Sequence, residues 1–485
     1  MACMNLDHDA CYSAIQVRDA RYDGRFFTAV KTTGIYCRPV CPARTPLSRN
    51  VIFYPTAAAA QEAGFHPCLR CRPETAPAAG PGQDLPDSVS RALAQIELGA
   101  LDDAGIDALA ERLGVGERQL RRQFRQHLGA SPVAVAQTRR VLLAKQLIHE
   151  TRLPMAEIAF AAGFGSIRRF NEIFQDLFGR APGDLRRSSQ PDVSAGPQGE
   201  IKLLLRYRPP YDWPAMLAFL RARAIPGIEH VTDNSYARSI SLDGCQGTVH
   251  VQPGPGHALQ ATVRFPRLQS LPTLIARLRR VFDLASDPTA LAAQLAHDPI
   301  MATLTARRPG LRVPGAWDGF ELALRAVLGQ QITVSAAIKL AGKLVAAYGQ
   351  PLTHPEAPLT HLFPTPDALA PADLAPLGMP RTRAATLSAV AAATLADPHL
   401  FAPSNTLEAA ITRLRAIRGI GEWTAQYIAL RHLREPDAFP ASDIGLIRAL
   451  EKLESREYTP AQLLARAESW RPWRAYAAQH LWAEY

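Results

Sequence analysis

The chain has 485 residues, of which 47% are hydrophobic and 20% are charged, with a formal net charge of +10 and a pI near 9.4. This length suits roughly three or four domains, each able to bury a core. The charge favours nucleic acid as a partner over the alternative of a merely basic soluble protein, because arginines recur in predicted helices. No apolar run reaches membrane-spanning length and no signal peptide opens the sequence. Seven cysteines are too few for a disulfide scaffold, so we expect a reducing, cytoplasmic compartment.

Residues 1–77 contain four cysteines in two short clusters. Cys37 and Cys41 have C-x3-C spacing, Cys68 and Cys71 have C-x2-C spacing, and 26 residues separate the two clusters. This pattern predicts a closed tetrahedral site in which four thiolates bind one Zn²⁺. The alternative is a set of four unligated buried thiols. We expect metal binding to supply much of the folding free energy of this short segment.

The sequence around these clusters, FFTAVKTTGIYCRP at 26–39 and FHPCLRCRP at 65–73, resembles the Ada-type methyl-acceptor domain. The resemblance implies that Cys37 takes a methyl group irreversibly from a methylated DNA phosphate, and that the methylated protein binds DNA more tightly. Zinc would hold the sulfur as a thiolate, which is the nucleophilic form. Alternatively, Cys37 is a structural ligand only. The candidate phosphate contacts, each of which could equally be a solvated surface arginine, are Arg38, Arg44, Arg70 and Arg72.

Residues 88–189 contain an internal repeat, flanked by predicted linkers at 76–87 and 190–199. In each copy a short helix ends in glycine, a second helix with apolar spacing follows, and Gly-x-x-Pro closes the unit. A predicted helix at 133–150 connects the copies, and the whole resembles the AraC-type DNA-binding domain. An unspecialised helical bundle is the alternative. The resemblance implies base readout in the major groove by exposed residues near the start of each second helix, namely Glu117, Arg118, Arg121, Arg122, Ser166, Arg168 and Arg169.

Residues 200–288 are predicted to form an α+β domain. Alternating apolar patterns predict strands, and longer periodic segments predict helices. The strands are expected at 201–207, 236–240, 247–252 and 258–265, and the helices at 213–224 and 271–282. The order of elements and the sequence YRPPYDW at 207–213 resemble the amino-terminal domain of AlkA-type glycosylases.

Residues 289–485 are predicted to be all helical, with a tight Gly419-Ile420-Gly421 turn between a helix ending at Arg418 and another starting near Glu422. The glycines permit close backbone approach, and the amides at the start of the second helix can bind a phosphate. Asp443 follows twenty residues after Trp423. A phosphate-gripping hairpin followed by an aspartate at this spacing resembles the helix-hairpin-helix DNA glycosylases. The order of the whole region resembles the AlkA-type 3-methyladenine DNA glycosylases.

The residue chemistry agrees with this resemblance. Breaking an N-glycosidic bond leaves positive charge on the sugar, which a fixed carboxylate stabilises while it orients the attacking water. We assign this role to Asp443, although Ser442 or Asp443 would also serve as a helix N-cap. Related enzymes that also cut the strand carry a lysine at the position of Trp423. This chain has tryptophan there instead of lysine, which predicts a monofunctional glycosylase.

Further site residues are implied by the same resemblance. Trp423, Tyr427 and Trp482 match the aromatic residues that stack on an electron-poor alkylated purine, although each could be ordinary core. Gln331 matches the residue that fills the gap left by the flipped base, where better-known relatives carry an apolar side chain. Carbonyls of the turn at 419–421 would hold a monovalent cation. We assign Trp470 and Trp473 to packing.

The sequence therefore predicts a multidomain, mainly α protein: a zinc-bound domain at 1–77, a double helix-turn-helix domain at 88–189, an α+β domain at 200–288 and a helix-hairpin-helix glycosylase domain at 289–485. The predicted function is excision of alkylated bases, fused to a methylphosphotriester acceptor and a transcription regulator. Expected partners are damaged and promoter double-stranded DNA and RNA polymerase, in the bacterial nucleoid and not at a membrane. No Pro-Cys-His-Arg motif is present, so O6-methylguanine repair is not predicted. The alternative is a regulator with an inactive glycosylase-like module.

Overall fold

The computed structural model describes residues 6–19, 22–76, 85–102, 104–151, 153–187, 200–402 and 406–485. The predicted linker at 190–199, and most of the one at 76–87, lie outside these ranges. The chain divides into two compact units, Met1–Pro209 with Gly254–Ala276, and Pro210–Pro253 with Arg277–Tyr485. No helix within the described ranges has both the length and the apolar character needed to cross a bilayer.

The amino-terminal part of the first unit is a small sheet with two helices. Its elements are α1 (His8–Val17), β1 (Phe27–Val30), β2 (Ile35–Cys37), β3 (Val51–Tyr54), α2 (Ala57–Glu62) and β4 (His66–Pro67). The strand order is β3-β1-β2-β4, with β1 antiparallel to β2 and β3, and β2 parallel to β4. Tyr36 lies opposite Pro67 in the parallel pair. This register brings Cys37 and Cys68, the next residues along each strand, to the same end of the sheet.

The helix-turn-helix repeats predicted from the sequence are both present in the first unit. The helices are α3 (Asp87–Glu97), α4 (Ile106–Arg112), α5 (Glu117–Leu128), α6 (Pro132–Glu150), α7 (Met155–Ala161), α8 (Ile167–Phe178) and α9 (Pro182–Arg187). The second helices, α5 and α8, bury Leu120 and Phe124, and Phe170 and Phe174, respectively. Both end at a left-handed glycine, Gly129 or Gly179.

The strands and helices predicted between residues 200 and 288 are all confirmed to within two residues. They are β5 (Glu200–Arg206), α10 (Trp213–Arg223), β7 (Tyr236–Leu242), β8 (Cys245–Gly254), β9 (Ala258–Arg264) and α11 (Leu271–Val281), with the short strand β6 (Glu229–Val231) in addition. In the first unit β5 pairs antiparallel with β9. In the second unit β7 pairs antiparallel with both β6 and β8.

The carboxy-terminal region is mostly helical. Its elements are α12 (Pro288–Leu295), α13 (Pro299–Arg307), α14 (Gly319–Leu328), α15 (Val334–Tyr348), β10 (Pro351–Glu356), β11 (Leu359–His361), α16 (Pro366–Leu369), α17 (Arg381–Ala396), α18 (Leu407–Arg415), α19 (Glu422–Ile428), a π-helical turn (Ala429–Leu433), α20 (Ile444–Glu454), α21 (Pro460–Arg466) and α22 (Arg474–Trp482). The expectation of an all-helical region is wrong at the β10–β11 hairpin. Pro351, Pro355 and Pro358 fall within eight residues there, and proline lacks the N–H that a helix interior needs.

A single large hydrophobic core fixes the carboxy-terminal helices. It includes Leu414 and Ile420 on either side of the glycine turn, Leu446 at the start of α20, and Leu481 in α22. Trp470 and Trp473 are also buried in it, which confirms their assignment to packing. The ends of α18, α19, α20 and α22 are therefore held rigidly relative to each other around the carboxylate of Asp443.

Candidate functional sites

Asp443 is both the N-cap of α20 and the centre of a hydrogen-bond network. Its Oδ1 accepts from the backbone N–H groups of Gly445 and Leu446 at 2.9 and 3.1 Å, and from the indole N–H of Trp482 at 2.9 Å. Its Oδ2 accepts from the indole N–H of Trp423 at 2.8 Å. Helix capping and a role in the site are thus compatible. Oδ1 accepts three hydrogen bonds and has no capacity left. Among the described residues Oδ2 accepts only one, so it can still accept a hydrogen bond from a ligand.

The loop before Asp443 is fixed by contacts to the neighbouring helices. The side-chain oxygen of Gln426 accepts from the backbone N–H of Phe439 at 3.1 Å, and the N–H of Asp443 donates to the carbonyl of Pro440 at 2.9 Å. The guanidinium of Arg474 in α22 donates to the Asp437 carboxylate at 2.8 Å. These contacts place the carboxylate with little freedom, as a preorganised electrostatic site requires.

The three predicted pocket aromatics lie together beside Asp443. Trp423 and Tyr427, four residues apart on α19, are stacked with ring centroids 5.2 Å apart and planes at 10°. The ring of Trp482 meets Tyr427 nearly edge-on, with centroids 6.3 Å apart. All three side chains are half-buried. They therefore form a partly open aromatic surface, adjacent to the carboxylate, on which a planar base can stack.

Three further residues, which were not predicted from the sequence, complete this pocket. The guanidinium of Arg431, in the π-helical turn after α19, lies over the rings of Tyr427, Trp482 and Phe219. Gln479 in α22 accepts from Arg431 at 3.0 Å. Arg431 follows Tyr427 by four residues and Trp423 by eight, so helical spacing was a usable signal. Phe219 is about two hundred residues away in the chain, and no local pattern connects it to the pocket.

The glycine turn has the geometry expected of a hairpin. Gly419 has φ +91°, and a Cβ atom there would lie 2.0 Å from the hydroxyl of Thr386, so only glycine fits. A Cβ on Gly421 would meet no protein atom within 4 Å, which leaves that side of the turn open to a ligand. The second helix begins at Glu422 as predicted.

Gln331 lies at an exposed loop tip between α14 and α15. Its φ of +55° is a left-handed conformation that non-glycine residues rarely adopt, and such strain is typical of functional positions. The adjacent Gln330 donates its amide to the Gly419 carbonyl at 3.2 Å and to the Thr424 hydroxyl at 3.0 Å. Gln330 therefore ties this loop to the hairpin and holds Gln331 beside it.

The four cysteines of the first unit form one cluster. The sulfurs of Cys37, Cys41, Cys68 and Cys71 all lie within 4.8 Å of one another. The backbone N–H of Arg38 donates to the Cys71 sulfur, and that of Arg70 to the Cys68 sulfur, both at 3.3 Å. Hydrogen bonding from Cys37 lowers the pKa of Cys41 to about 7 and also lowers the pKa of Cys68.

The donor set fits a tetrahedral Zn²⁺, which prefers thiolate sulfur. Cys68 and Cys71 are buried, whereas Cys37 and Cys41 are half-buried. The site is therefore closed on one side and accessible on the other.

The arginines around the cluster do not all lie at the surface. The structure contradicts the suggestion that Arg38 contacts phosphate, because its side chain is buried and donates to the Asp23 carboxylate and to the Cys71 carbonyl. Arg72 pairs with Glu74 and Glu150 at 3.1 and 2.8 Å. Arg44 and Arg70 are exposed, as a DNA contact requires.

The residues predicted to read bases are all exposed at the start of α5 and α8. Several also have structural contacts. Glu117 pairs with Arg121 at 2.7 Å, and Glu172 pairs with Arg168 and Arg169 at 2.8 and 3.8 Å. Ser166 is the N-cap of α8 and accepts from the N–H of Arg169 at 3.2 Å. These surface pairs are weak, so the arginines can exchange them for DNA.

Comparison with known proteins agrees with the geometry. Four family models match: the metal binding domain of Ada at residues 10–74, a helix-turn-helix domain at 109–188, the AlkA N-terminal domain at 202–318, and the HhH-GPD superfamily of base excision DNA repair proteins at 324–475. The fold and the pocket thus define a helix-hairpin-helix base excision repair protein, joined to a zinc-binding domain and a DNA-binding helix-turn-helix domain.

The similarity to a relative in Mycobacterium tuberculosis extends over nearly the whole chain. The chain is 42% identical over 485 residues, covering 99% of this chain and 97% of the relative, to the "probable bifunctional transcriptional activator/DNA repair enzyme AlkA" of Mycobacterium tuberculosis. This chain belongs to that family.

Two further similarities concern the carboxy-terminal part. The DNA-3-methyladenine glycosylase 2 of Escherichia coli is 38% identical over 282 residues, which is 57% of this chain and 95% of that protein. The solved structure of a 3-methyladenine DNA glycosylase from Archaeoglobus fulgidus superimposes with a TM-score of 0.52 at 23% identity. The match covers 57% of this chain and 96% of that protein's chain. This structural likeness establishes the fold.

Proposed function

We propose that this protein hydrolyses the N-glycosidic bond of alkylated bases of the 3-methyladenine type in double-stranded DNA, with Asp443 as the catalytic carboxylate. The observation that carries the proposal is the carboxylate itself, fixed by two indole N–H donors beside three aromatic rings and next to an open glycine turn. As the bond to the base breaks, Oδ2 of Asp443 stabilises positive charge on the sugar and orients the attacking water. With tryptophan at position 423, no lysine is available there for a Schiff base.

The test is base release from DNA containing 3-methyladenine or 7-methylguanine, comparing wild type with Asp443→Asn. We expect release to fall by about 100-fold or more, because the amide carries no charge to stabilise the sugar cation. Asparagine caps helices as well as aspartate does, but its NH2 group cannot accept from the Trp423 indole, so the free energy of unfolding should fall by about 1–3 kcal/mol. Measuring at low and moderate salt separates release from non-specific DNA binding. Full excision by the variant would reject the assignment.

The glycine turn and the loop that carries Gln331 bind the DNA around the damaged base. The amides around Gly419 and Gly421 bind a backbone phosphate, and a Gln331 side chain enters the duplex where the damaged base has left. A monovalent cation bound by carbonyls of this turn would supply additional positive charge toward the phosphate. Gln330 already donates to the Gly419 carbonyl, so the cation would share that oxygen with an amide.

Cys37 is proposed to accept a methyl group from a methylphosphotriester. It is half-buried, whereas Cys68 and Cys71 are buried, which supports Cys37 over them as the reacting sulfur. Zn²⁺ would keep the sulfurs deprotonated at neutral pH. The Cys37 sulfur attacks the methyl carbon, a C–S bond forms, the C–O bond breaks, and the phosphate leaves as a diester anion. The cluster then carries one negative charge fewer, which favours DNA binding.

Mass spectrometry on the full-length zinc protein, after incubation with methylphosphotriester DNA, tests this transfer. We expect one added methyl group on the peptide containing Cys37 and none after incubation with unmethylated DNA. Because Cys41 is half-buried as well, a methyl group on Cys41 would reassign the nucleophile. The absence of any methylated cysteine would leave Cys37 as a structural ligand.

The helix-turn-helix residues are proposed to bind promoter DNA, with RNA polymerase as the partner in activation. Four functional parts, at 1–77, 88–189, 200–288 and 289–485, would then act in one DNA-bound protein of the bacterial cytoplasm. A regulator with an inactive glycosylase-like module is the competing proposal. The intact pairing of Asp443 with both tryptophans favours the enzyme.

A further inference from the structure

Arg431 is a buried cation at the aromatic pocket. Its side chain is 3% exposed and lies in the π-helical turn Ala429–Leu433 that continues α19. The guanidinium carbon is 4.9 Å from the ring centroid of Trp482, 5.5 Å from that of Tyr427 and 4.6 Å from that of Phe219. π-Helical turns are rare and occur frequently at functional sites. A positive charge therefore lies against two of the rings proposed to hold the base.

This charge is held by neutral acceptors only. Arg431 donates to the Pro314 carbonyl at 3.1 Å and to the side-chain oxygen of Gln479 at 3.0 Å. Among the described residues, no carboxylate lies within ion-pair distance of it, and its Nε has no hydrogen-bond partner. Burial lowers the pKa of Arg431 to about 10, which still leaves it protonated at neutral pH.

Two other arginines of the same unit, the buried Arg238 and the half-buried Arg325, pair with a carboxylate. Arg238 and Arg325 both contact the carboxylate of Glu321, at 2.7 Å each. A buried charge without a counterion is costly, by several kcal/mol in general. What sets Arg431 apart is the combination of two features: no carboxylate neutralises its charge, and its guanidinium lies against Tyr427 and Trp482 of the pocket. This combination points to an electrostatic role toward the pocket.

The chemistry of base release defines that role. When the C1′–N bond breaks, its electron pair stays with the base. A cationic base such as 7-methylguanine leaves as a neutral molecule. An uncharged base such as hypoxanthine leaves as an anion; one water then gives its hydroxyl to C1′ of the sugar and its proton to the base. A fixed positive charge behind the rings stabilises the departing anion and disfavours a cationic base.

We propose that Arg431 is a specificity-determining residue that promotes release of uncharged damaged bases relative to cationic ones. The proposal rests on the glycosylase function proposed above. Arg431 acts through its field and not as an acid, because a guanidinium does not give up its proton in proteins. It raises the rate for uncharged bases by stabilising charge that develops only in the transition state.

Single-turnover release of hypoxanthine and of 7-methylguanine by the full-length protein tests this proposal. In Arg431→Gln, whose amide can still donate to the Pro314 carbonyl, hypoxanthine release should fall by about tenfold. Release of 7-methylguanine should stay unchanged or increase. A purely structural role would lower both rates by the same factor, and that result would overturn the proposal.

A second variant tests the charge without removing the arginine. Gln479→Glu keeps an acceptor oxygen against Arg431 and adds the missing counterion, so folding should be preserved. We expect the ratio of hypoxanthine to 7-methylguanine release to fall as it does in Arg431→Gln. An unchanged ratio in folded Gln479→Glu would reject the proposal even if Arg431→Gln failed to fold.

Arg312→Gln is the matched control. Arg312 is also buried in this unit, 4.8 Å from the ring of Tyr211, and donates to the carbonyls of Asp283, Ser286 and Pro210. Its loss should leave the ratio of the two rates unchanged. If wild type releases neither base, the glycosylase proposal fails; if wild type releases both and neither variant alters the ratio, only the assignment to Arg431 fails.

Discussion

The two oxygens of Asp443 have different surroundings, and this difference decides what the side chain can do. Oδ1 receives three N–H donors, two from the first turn of α20 and one from Trp482, whereas Oδ2 receives one from Trp423. The cap anchors one oxygen, and the other keeps capacity for the sugar or for water. A single residue therefore stabilises the helix and presents a negative charge to the pocket.

Histidine burial near the same pocket predicts a dependence of stability on pH. His480 in α22 is buried, and burial, together with the charge of Arg308, lowers its pKa to about 4. The folded pKa lies below the unfolded value of about 6.5, so the stabilisation is complete above that pH and is lost as the pH falls toward 4. We expect the free energy of unfolding to drop by on the order of 3 kcal/mol over this range.

Urea unfolding followed by tryptophan fluorescence measures this effect, because all six tryptophans belong to the unit that contains His480. His480→Gln should flatten the pH dependence. A residual slope of the same sign should remain, since burial and then Arg280 also lower the pKa of His432. An unchanged slope in the variant would contradict the role of His480.

At the scale of elements, helix α6 is the link between the cysteine cluster and the helix-turn-helix repeats. Its Lys145 is fully buried and donates to the carbonyl of Cys68 at 2.9 Å and to the carboxylate of Glu74 at 2.7 Å. Glu150, at the end of α6, pairs with Arg72 at 2.8 Å. Helix α6 thus supplies Lys145 and Glu150, whose charged side chains fix the segment that contains Cys68 and Arg72.

Removing one member of this buried pair should destabilise the first unit. Lys145→Met leaves the Glu74 carboxylate buried with only Arg72 as a counterion, so we expect a loss of about 3–5 kcal/mol of unfolding free energy. Zinc should also be released to a chromophoric chelator more quickly, because the Cys68 carbonyl loses its donor. Circular dichroism during urea unfolding measures the first effect.

Arg121→Met is the control for this prediction. It breaks the exposed pair with Glu117 on α5 and should cost less than about 1 kcal/mol. Equal destabilisation by the two substitutions would show that burial of the Lys145 pair is not what stabilises this contact.

The periodic elements were predictable for reasons that belong to single segments. Helices α5, α8 and α20 follow from apolar spacing and capping residues, and β5 and β9 follow from alternation. The β10–β11 hairpin was missed because the surrounding helical pattern dominated a short segment. Its prolines were the signal that should have excluded a helix.

At the scale of the whole molecule, the net charge of +10 indicates DNA, and several of the exposed arginines lie on the elements expected to meet it. Not every arginine contributes to that surface. Arg38, Arg238, Arg312 and Arg431 are buried and do not face a DNA backbone.

The sequence alone determined the cysteine pattern, the repeated helix-turn-helix units and the glycine turn with its following aspartate, because each depends on residues close together in the chain. Only the tertiary structure decided the pairing of Arg38 with Asp23, the donation of Trp482 to Asp443 across 39 positions, and the absence of a counterion at Arg431 among the described residues. These features depend on which distant segments meet in the core. Local periodicity carries no information about such meetings, because a helix or strand of the same pattern can bury its apolar face against many different partners.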